Sequence, residues 1–329
     1  MYGCDTWRPR PLLVGSGDSL IPLIVINSMS RSIVATRRWW FLFSGLMVGA
    51  ALASLLAWGL RFGVDFTGGS LLAFRFEQRP AVVELVQTVT GAGVETGEPV
   101  IQPVGDTEVQ IRTKELSEAD YQTLVAAIEA KHGQVEELRF DTIGPVIGAE
   151  LRSKSLQGVV VALLLILFYI AYTFRKVSAP VVSWKYGMVT MLAAAHDVVI
   201  PLGVFAALGH FRGLQVGTPF VAAVLTILGY SITDTIVVMD RVRENLPRMK
   251  ASFEEVVDFS LRQTALRSIY TSLTTLIALL AVFFFGGASL HEFTLAMIIG
   301  IAVGTYSSVF VAPMALVAWN AYDQARKKS

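Results

Sequence analysis

The sequence predicts an α-helical membrane protein with six spans and a small α+β domain between the first two. Three observations predict it. Of 329 residues, 53% are hydrophobic and 16% charged, and mean hydropathy is +0.57, a balance that belongs to integral membrane proteins. The apolar residues gather into six runs, each near the roughly 20 residues that cross about 30 Å of hydrocarbon. Between the first two runs the pattern shortens and alternates. The net charge of +1 gives no case for nucleic-acid binding, and the lone Cys4 excludes an internal disulfide or a cysteine metal cluster. Nothing in the sequence calls for a cofactor.

Residues 1–38 precede the first span. Met1 to Ser28 holds Pro9, Pro11, Gly15, Gly17 and Pro22. It reads as disordered, or as an artefact of start-site choice with Met29 as the beginning. Arg31, Arg37 and Arg38 then lead into span one, 39–60. Trp39, Trp40 and Trp58 mark its two ends as an aromatic belt. Gly45, Gly49, Ala53 and Ala57 recur every four residues, a small-residue ridge expected to pack closely on another helix.

Residues 61–155 form the inserted domain. Ser70 to Phe76 reads as a strand and Ala81 to Thr90 as a helix after Pro80. Val100 to Gln102 and Glu108 to Arg112 read as strands about a Gly105-Asp106 turn. Ser117 to Lys131 reads as a helix capped by Ser117, with Asp120 completing the start. Glu136 to Asp141 is the last strand. The order βαββαβ predicts a ferredoxin-like α+β domain. His132, beside Gly133, reads as a solvated surface residue.

Span two is expected at 156–174, span three at 187–208, span four at 218–239, span five at 264–285 and span six at 293–319. Pro201 interrupts the hydrogen-bond ladder of span three, and Pro313 should bend span six near its end. Gly300, Gly304, Ser307 and Ser308 make a second small face. Within the loop 240–263, Phe253, Val256, Val257 and Leu261 fall at helical spacing, which predicts a short amphipathic helix on the membrane surface. The tail is 320–329. Lys and Arg cluster before span one, after span two, between four and five, and after six. The positive-inside rule then puts both termini in the cytoplasm and the domain outside.

Asp234 carries the chemistry. It lies seven residues before Arg241 in an otherwise apolar run, hence about 10 Å inside the boundary. A carboxylate at that depth must be protonated, paired or hydrated, and is a proton- or ion-site hypothesis by default. Arg267 enters span five from the same side. If spans four and five are neighbours, the two side chains can meet. His196 and Asp197 add a second intramembrane acid, for which hydrogen bonding is weighed against proton relay.

Several stretches resemble one family. Leu228 to Asn245, reading LGYSITDTIVVMDRVREN, is similar to the fourth span of the SecF side of the SecD/SecF export family, in the RND superfamily. Gly63 to Gly69, reading GVDFTGG, resembles that family's DFTGG-type motif through Asp65, Thr67, Gly68 and Gly69. A phosphate-binding loop is the rival, but no Gly-Lys-Ser/Thr follows. Ile143 to Gly148 resembles the family's entry to span two, with Gly144-Pro145 as a turn or hinge. His196-Asp197 matches an HD pair, and Arg267 to Leu276 matches RxxxTSxTTL.

The resemblance implies a non-enzymatic auxiliary subunit of the Sec translocase in the cytoplasmic membrane. It implies proton coupling at Asp234 and Arg267. SecD, the SecYEG channel, a YajC-type accessory subunit, the exported preprotein and membrane lipid are the implied partners. The alternative is an RND-type carrier of a lipid or small amphiphile. An aspartyl protease using Asp197 and Asp234 is disfavoured, because no GxGD surrounds Asp234 and no YD stands at Asp197.

Overall fold

The computed structural model describes residues 32–173, 175 and 181–328. The readings for Met1 to Ser28, for Met29 and Arg31, and for the end of span two at Phe174 and Lys176 lie outside the described residues. Six helices are long and apolar enough to cross a membrane.

After a 3-10 turn at Val34–Thr36, the elements are α1 (Arg37–Trp58), α2 (Val64–Thr67), β1 (Gly69–Phe76), α3 (Val82–Gly91), β2 (Val100–Val104), β3 (Glu108–Thr113), α4 (Glu118–His132) and β4 (Val135–Ile143). The membrane part continues with α5 (Pro145–Thr173), α6 (Ser183–Arg212), α7 (Thr218–Asn245), α8 (Phe253–Phe285), α9 (Ala288–Phe310) and α10 (Ala312–Lys328).

The domain is one antiparallel sheet in the order β2-β3-β1-β4, which is the ferredoxin-like arrangement. Central β1 buries Leu72, Phe74 and Phe76. Those side chains meet Leu85 and Val89 of α3 and Tyr121, Leu124 and Ile128 of α4. Alternation along β1 thus puts one face of the sheet on the two helices. Ser117 caps α4 by accepting from the Asp120 N–H at 3.2 Å. His132 departs from its expected solvated role. It is half-buried, 2.9 Å from Thr88 Oγ1 and edge-on to Phe76, so it ties α4 to α3.

In the membrane, α6, α7 and α9 form the buried centre, with α8 beside α7 and α9. Gly300 of α9 lets Ile227 of α7 come so near that an added Cβ would sit 2.2 Å from it. The second small face is therefore a helix contact. The first is not. Gly45 and Gly49 face nothing within 4 Å, and α1 packs instead through Ser44 and Ala51. Ala51 meets Gly203 of α6, where an added Cβ would lie 2.3 Å from Ala51 Cα. Equal spacing of small residues cannot tell an occupied face from an open one.

The helices also run differently from the hydropathy limits. Helix α5 starts at Pro145, because proline suits a first turn and Gly148 slips past the Gly68 backbone, 2.8 Å from where a Cβ would stand. Its polar first turns hid this start. The surface helix expected in 240–263 is a correction. Helix α8 is continuous from Phe253, with a Ser252/Glu255 capping box. Phe253, Val257 and Leu261 are buried with Val238, Met239 and Val242 of α7 rather than against lipid headgroups. Asp258 and Glu254 on the same extension hold the start of the first span. Asp258 accepts from Ser32 Oγ at 2.9 Å and Val34 N at 3.2 Å, and Glu254 pairs with Arg37 at 2.7 Å. Pro313 does break span six, which divides into α9 and α10 at Val311.

Candidate functional site

Asp234 lies on α7 and Arg267 on the adjacent α8. Asp234 is half-buried. Its Oδ2 is sealed from solvent and has no hydrogen-bond partner, and the same holds for Ser268 Oγ and Thr235 Oγ1. Ser268 and Arg267 are the groups that act electrostatically on the carboxyl. Ser268 lies within reach of the carboxyl, and its Oγ has no settled hydrogen-bond partner. Arg267 is exposed and its guanidinium stays more than 4.0 Å from the Asp234 carboxylate, so the two form no ion pair. The helices bring the acid and the base to neighbouring positions but do not join them.

The ridge that builds this side of α8 was missed in the sequence. Ser260, Thr264, Ser268 and Ser272 are all buried, at strict i, i+4 spacing, so one face of the helix is hydroxyl-lined. Ser272 accepts from Thr305 of α9 at 2.6 Å and from Tyr230 of α7 at 3.3 Å. Ser260 accepts from Asn245 at 2.9 Å. Ser268 is the unpaired member of the ridge. The signal was the period of the hydroxyls, obscured because the apolar residues around them set the hydropathy.

Asp197 is different. It is fully buried and its carboxylate binds three groups. Ser307 of α9 donates to Oδ2 at 2.6 Å, Ser231 of α7 also donates to Oδ2, and His196 Nδ1 lies 2.8 Å from Oδ1. The residue therefore fastens α6, α7 and α9 together. Asp197 and Asp234 share no hydrogen bond among the described residues.

The glycine-rich segment sits where the domain meets the membrane helices. Asp65 caps a helix far away in the chain: its Oδ2 accepts from Thr218 N at 2.7 Å and Thr218 Oγ1 at 2.6 Å, at the start of α7. A carboxylate at a helix N-terminus is favoured by the helix dipole. Gly217 makes room, since a Cβ there would lie 2.6 Å from Asp65 Oδ2. Thr67 bonds within its own turn, to Gly63 O at 3.0 Å. Gly68 (φ +75) and Gly69 (φ +122) lie in backbone regions that L side chains rarely adopt. Added Cβ atoms there would stand 2.7 Å from Pro145 Cα and 2.5 Å from Thr113 O. The two glycines let the linker pass between β3 and the start of α5. Gly144-Pro145 stands at that junction, with Pro145 opening the helix.

A further junction was not foreseen. Arg112 of β3 is buried and lies 3.8 Å from Glu292 of α9. Burial lowers the guanidinium pKa, and the Glu292 carboxylate opposes that shift. Glu292 also accepts from Gln215 N at 3.3 Å, and Gln102 of β2 donates to Arg212 O at 3.2 Å. Domain and bundle are thus joined by polar contacts at several places.

Comparisons with known proteins agree with this architecture. Residues 123–322 match the family described as protein export membrane protein SecD/SecF, C-terminal. Residues 54–78 match the SecD/SecF GG motif. The chain is 39% identical to a protein translocase subunit SecF of Thermobaculum terrenum, covering 89% of this chain and 95% of that protein. It is 38% identical to the SecF subunit of Desulfurispirillum indicum, covering 84% and 87%. The crystal structure of SecDF from Thermus thermophilus, a translocon-associated membrane protein, superposes with a TM-score of 0.78 at 36% identity. That match covers 88% of this chain and 39% of the SecDF chain, so the chain spans well under half of that longer protein.

Proposed function

The chain belongs to the SecD/SecF family of protein-export membrane proteins, and from that premise we propose that it works with SecD to complete preprotein export at the expense of the proton motive force. The observation that carries the coupling is Asp234, half-buried in the membrane with Oδ2 unpaired and Arg267 acting on it from the next helix. Leaving a buried polar atom unpaired costs about 1–3 kcal/mol, more for a charge. A proton that comes and goes relieves that cost in one state and restores it in the other. Moving one charge through 100 mV supplies about 2.3 kcal/mol, enough to bias a two-state element.

SecD supplies the other half of the unit in this reading, which accords with the fused SecDF chain of Thermus thermophilus. The open ridge of α1 offers it a close-packing face. SecYEG, a YajC-type subunit and the preprotein complete the assembly. The chain lies in the cytoplasmic membrane with both termini inside and the α/β domain outside, and it performs no covalent chemistry. The deciding measurement is proton flux into vesicles holding this chain with SecD, with and without a translocating preprotein. Flux that rises with the preprotein and vanishes in Asp234→Asn supports the coupling. Equal flux in both proteins removes it.

A further inference from the structure

We propose that the cleft between α5 and the α6–α7 pair is a binding site for an anionic phospholipid. The cleft has a volume of about 310 Å³, within the roughly 300–1,000 Å³ of small-molecule sites. It lies at the domain end of the membrane helices. Its walls are apolar side chains, among them Leu156 and Val159 of α5, Leu202 of α6 and Val224 of α7. Leu156 and Val160 of α5 are exposed here.

The ligand class follows from the one charged residue on the lining. Arg152 of α5 is part of the cleft, exposed, and placed over the Phe62 ring at 4.5 Å. It has no carboxylate partner among the described residues. The slot is apolar along its length and cationic at its domain-side rim, through Arg152. That pairing of chemistries matches an acyl chain below a phosphate. Guanidinium binds phosphate by two parallel N–H bonds and tolerates partial desolvation better than an ammonium. An anionic headgroup is favoured over a zwitterionic one, which carries its own cation. Phe62 and Phe66 also line the cleft, and both flank the linker whose Asp65 caps α7. A seated lipid therefore touches the segment that joins domain to bundle.

The test uses the full chain in vesicles containing phosphatidylglycerol with a photoreactive acyl chain, beside the same probe on phosphatidylcholine. Labelled peptides are mapped after irradiation. Labelling by the phosphatidylglycerol probe should concentrate on α5 and α7 near Leu156 and Val224. It should fall at least about tenfold, or 1.4 kcal/mol in binding, in Arg152→Glu. Val224→Phe, which fills the slot, should abolish it for both probes. Unchanged thermal unfolding of both variants shows that the fold survives, and Arg152→Gln gives a milder second reading. Equal labelling by the two probes, or labelling indifferent to both substitutions, overturns the proposal in favour of bulk lipid contact. Labelling that disappears when SecD is co-expressed overturns it in favour of a partner helix in the cleft.

Discussion

Asp197 and Asp234 sit on neighbouring helices of one bundle, and their surroundings are opposite. Asp197 is fully enclosed and receives Ser231, Ser307 and His196 from three directions. Asp234 is less buried and keeps an oxygen without a partner, next to a serine in the same condition. Depth in the membrane therefore does not fix the surroundings of a carboxylate. The distinction lies in whether the chain itself satisfies the oxygens. A satisfied acid has one stable arrangement, whereas an unsatisfied one is open to a proton, an ion or a partner.

The most severe way to break this contrast is Asp234→Asn. Export driven by the proton gradient should stop, while membrane insertion and thermal unfolding stay as in the wild type. Sustained export in a proteoliposome assay would make Asp234 another structural acid. Next in size is Asp197→Ala, which strands two serines and a histidine and should cost about 2–4 kcal/mol of stability. Asp197→Asn retains an acceptor and should cost only about 1 kcal/mol. A stable Asp197→Asn protein that has lost export would move this residue to the coupling side.

Gly300→Leu probes the contact that supports the Asp197 cluster. Its Cβ would land on Ile227, and overpacking should cost about 1–3 kcal/mol. Gly49→Leu, at an open position, should leave the isolated chain unchanged and weaken co-purification with SecD. Equal melting of the two variants would contradict the occupied-versus-open assignment. The smallest expected change is Ser272→Ala. Interhelical hydrogen bonds in membranes average about 0.6 kcal/mol, so a shift above about 2 kcal/mol would mean that the hydroxyl ridge acts as one network.

Much of this was legible in the residues. The hydrophobic runs announced the spans, and turn chemistry with alternation announced the βαββαβ domain. Ser117 was readable as a cap because capping depends on neighbours in sequence. What stayed hidden depends on neighbours in space. The Asp65 cap joins residues 153 positions apart, and no local pattern records such a bond. The start of α8 read as a surface helix because amphipathic spacing is the same whether the apolar face meets lipid or α7. The Gly45 and Gly300 ridges have the same period and opposite fates. Arg112 and Glu292, 180 positions apart in sequence, meet only because the domain sits on the bundle. At the candidate site, Asp234 and Arg267 were identifiable by depth and side, but the unpaired state of the acid was not.

The bond between Asp65 and Thr218 has a mechanical consequence. Thr218 opens the helix that carries Asp234 sixteen residues further on, about 24 Å along a stiff axis. A rod of that kind does not absorb an axial shift; it hands the shift to whatever is tied at its far end. Here the tie is a short strut of two hydrogen bonds, held at close quarters by a residue with no side chain. Any sliding of the rod must either tug the linker under the α/β domain or tear the strut.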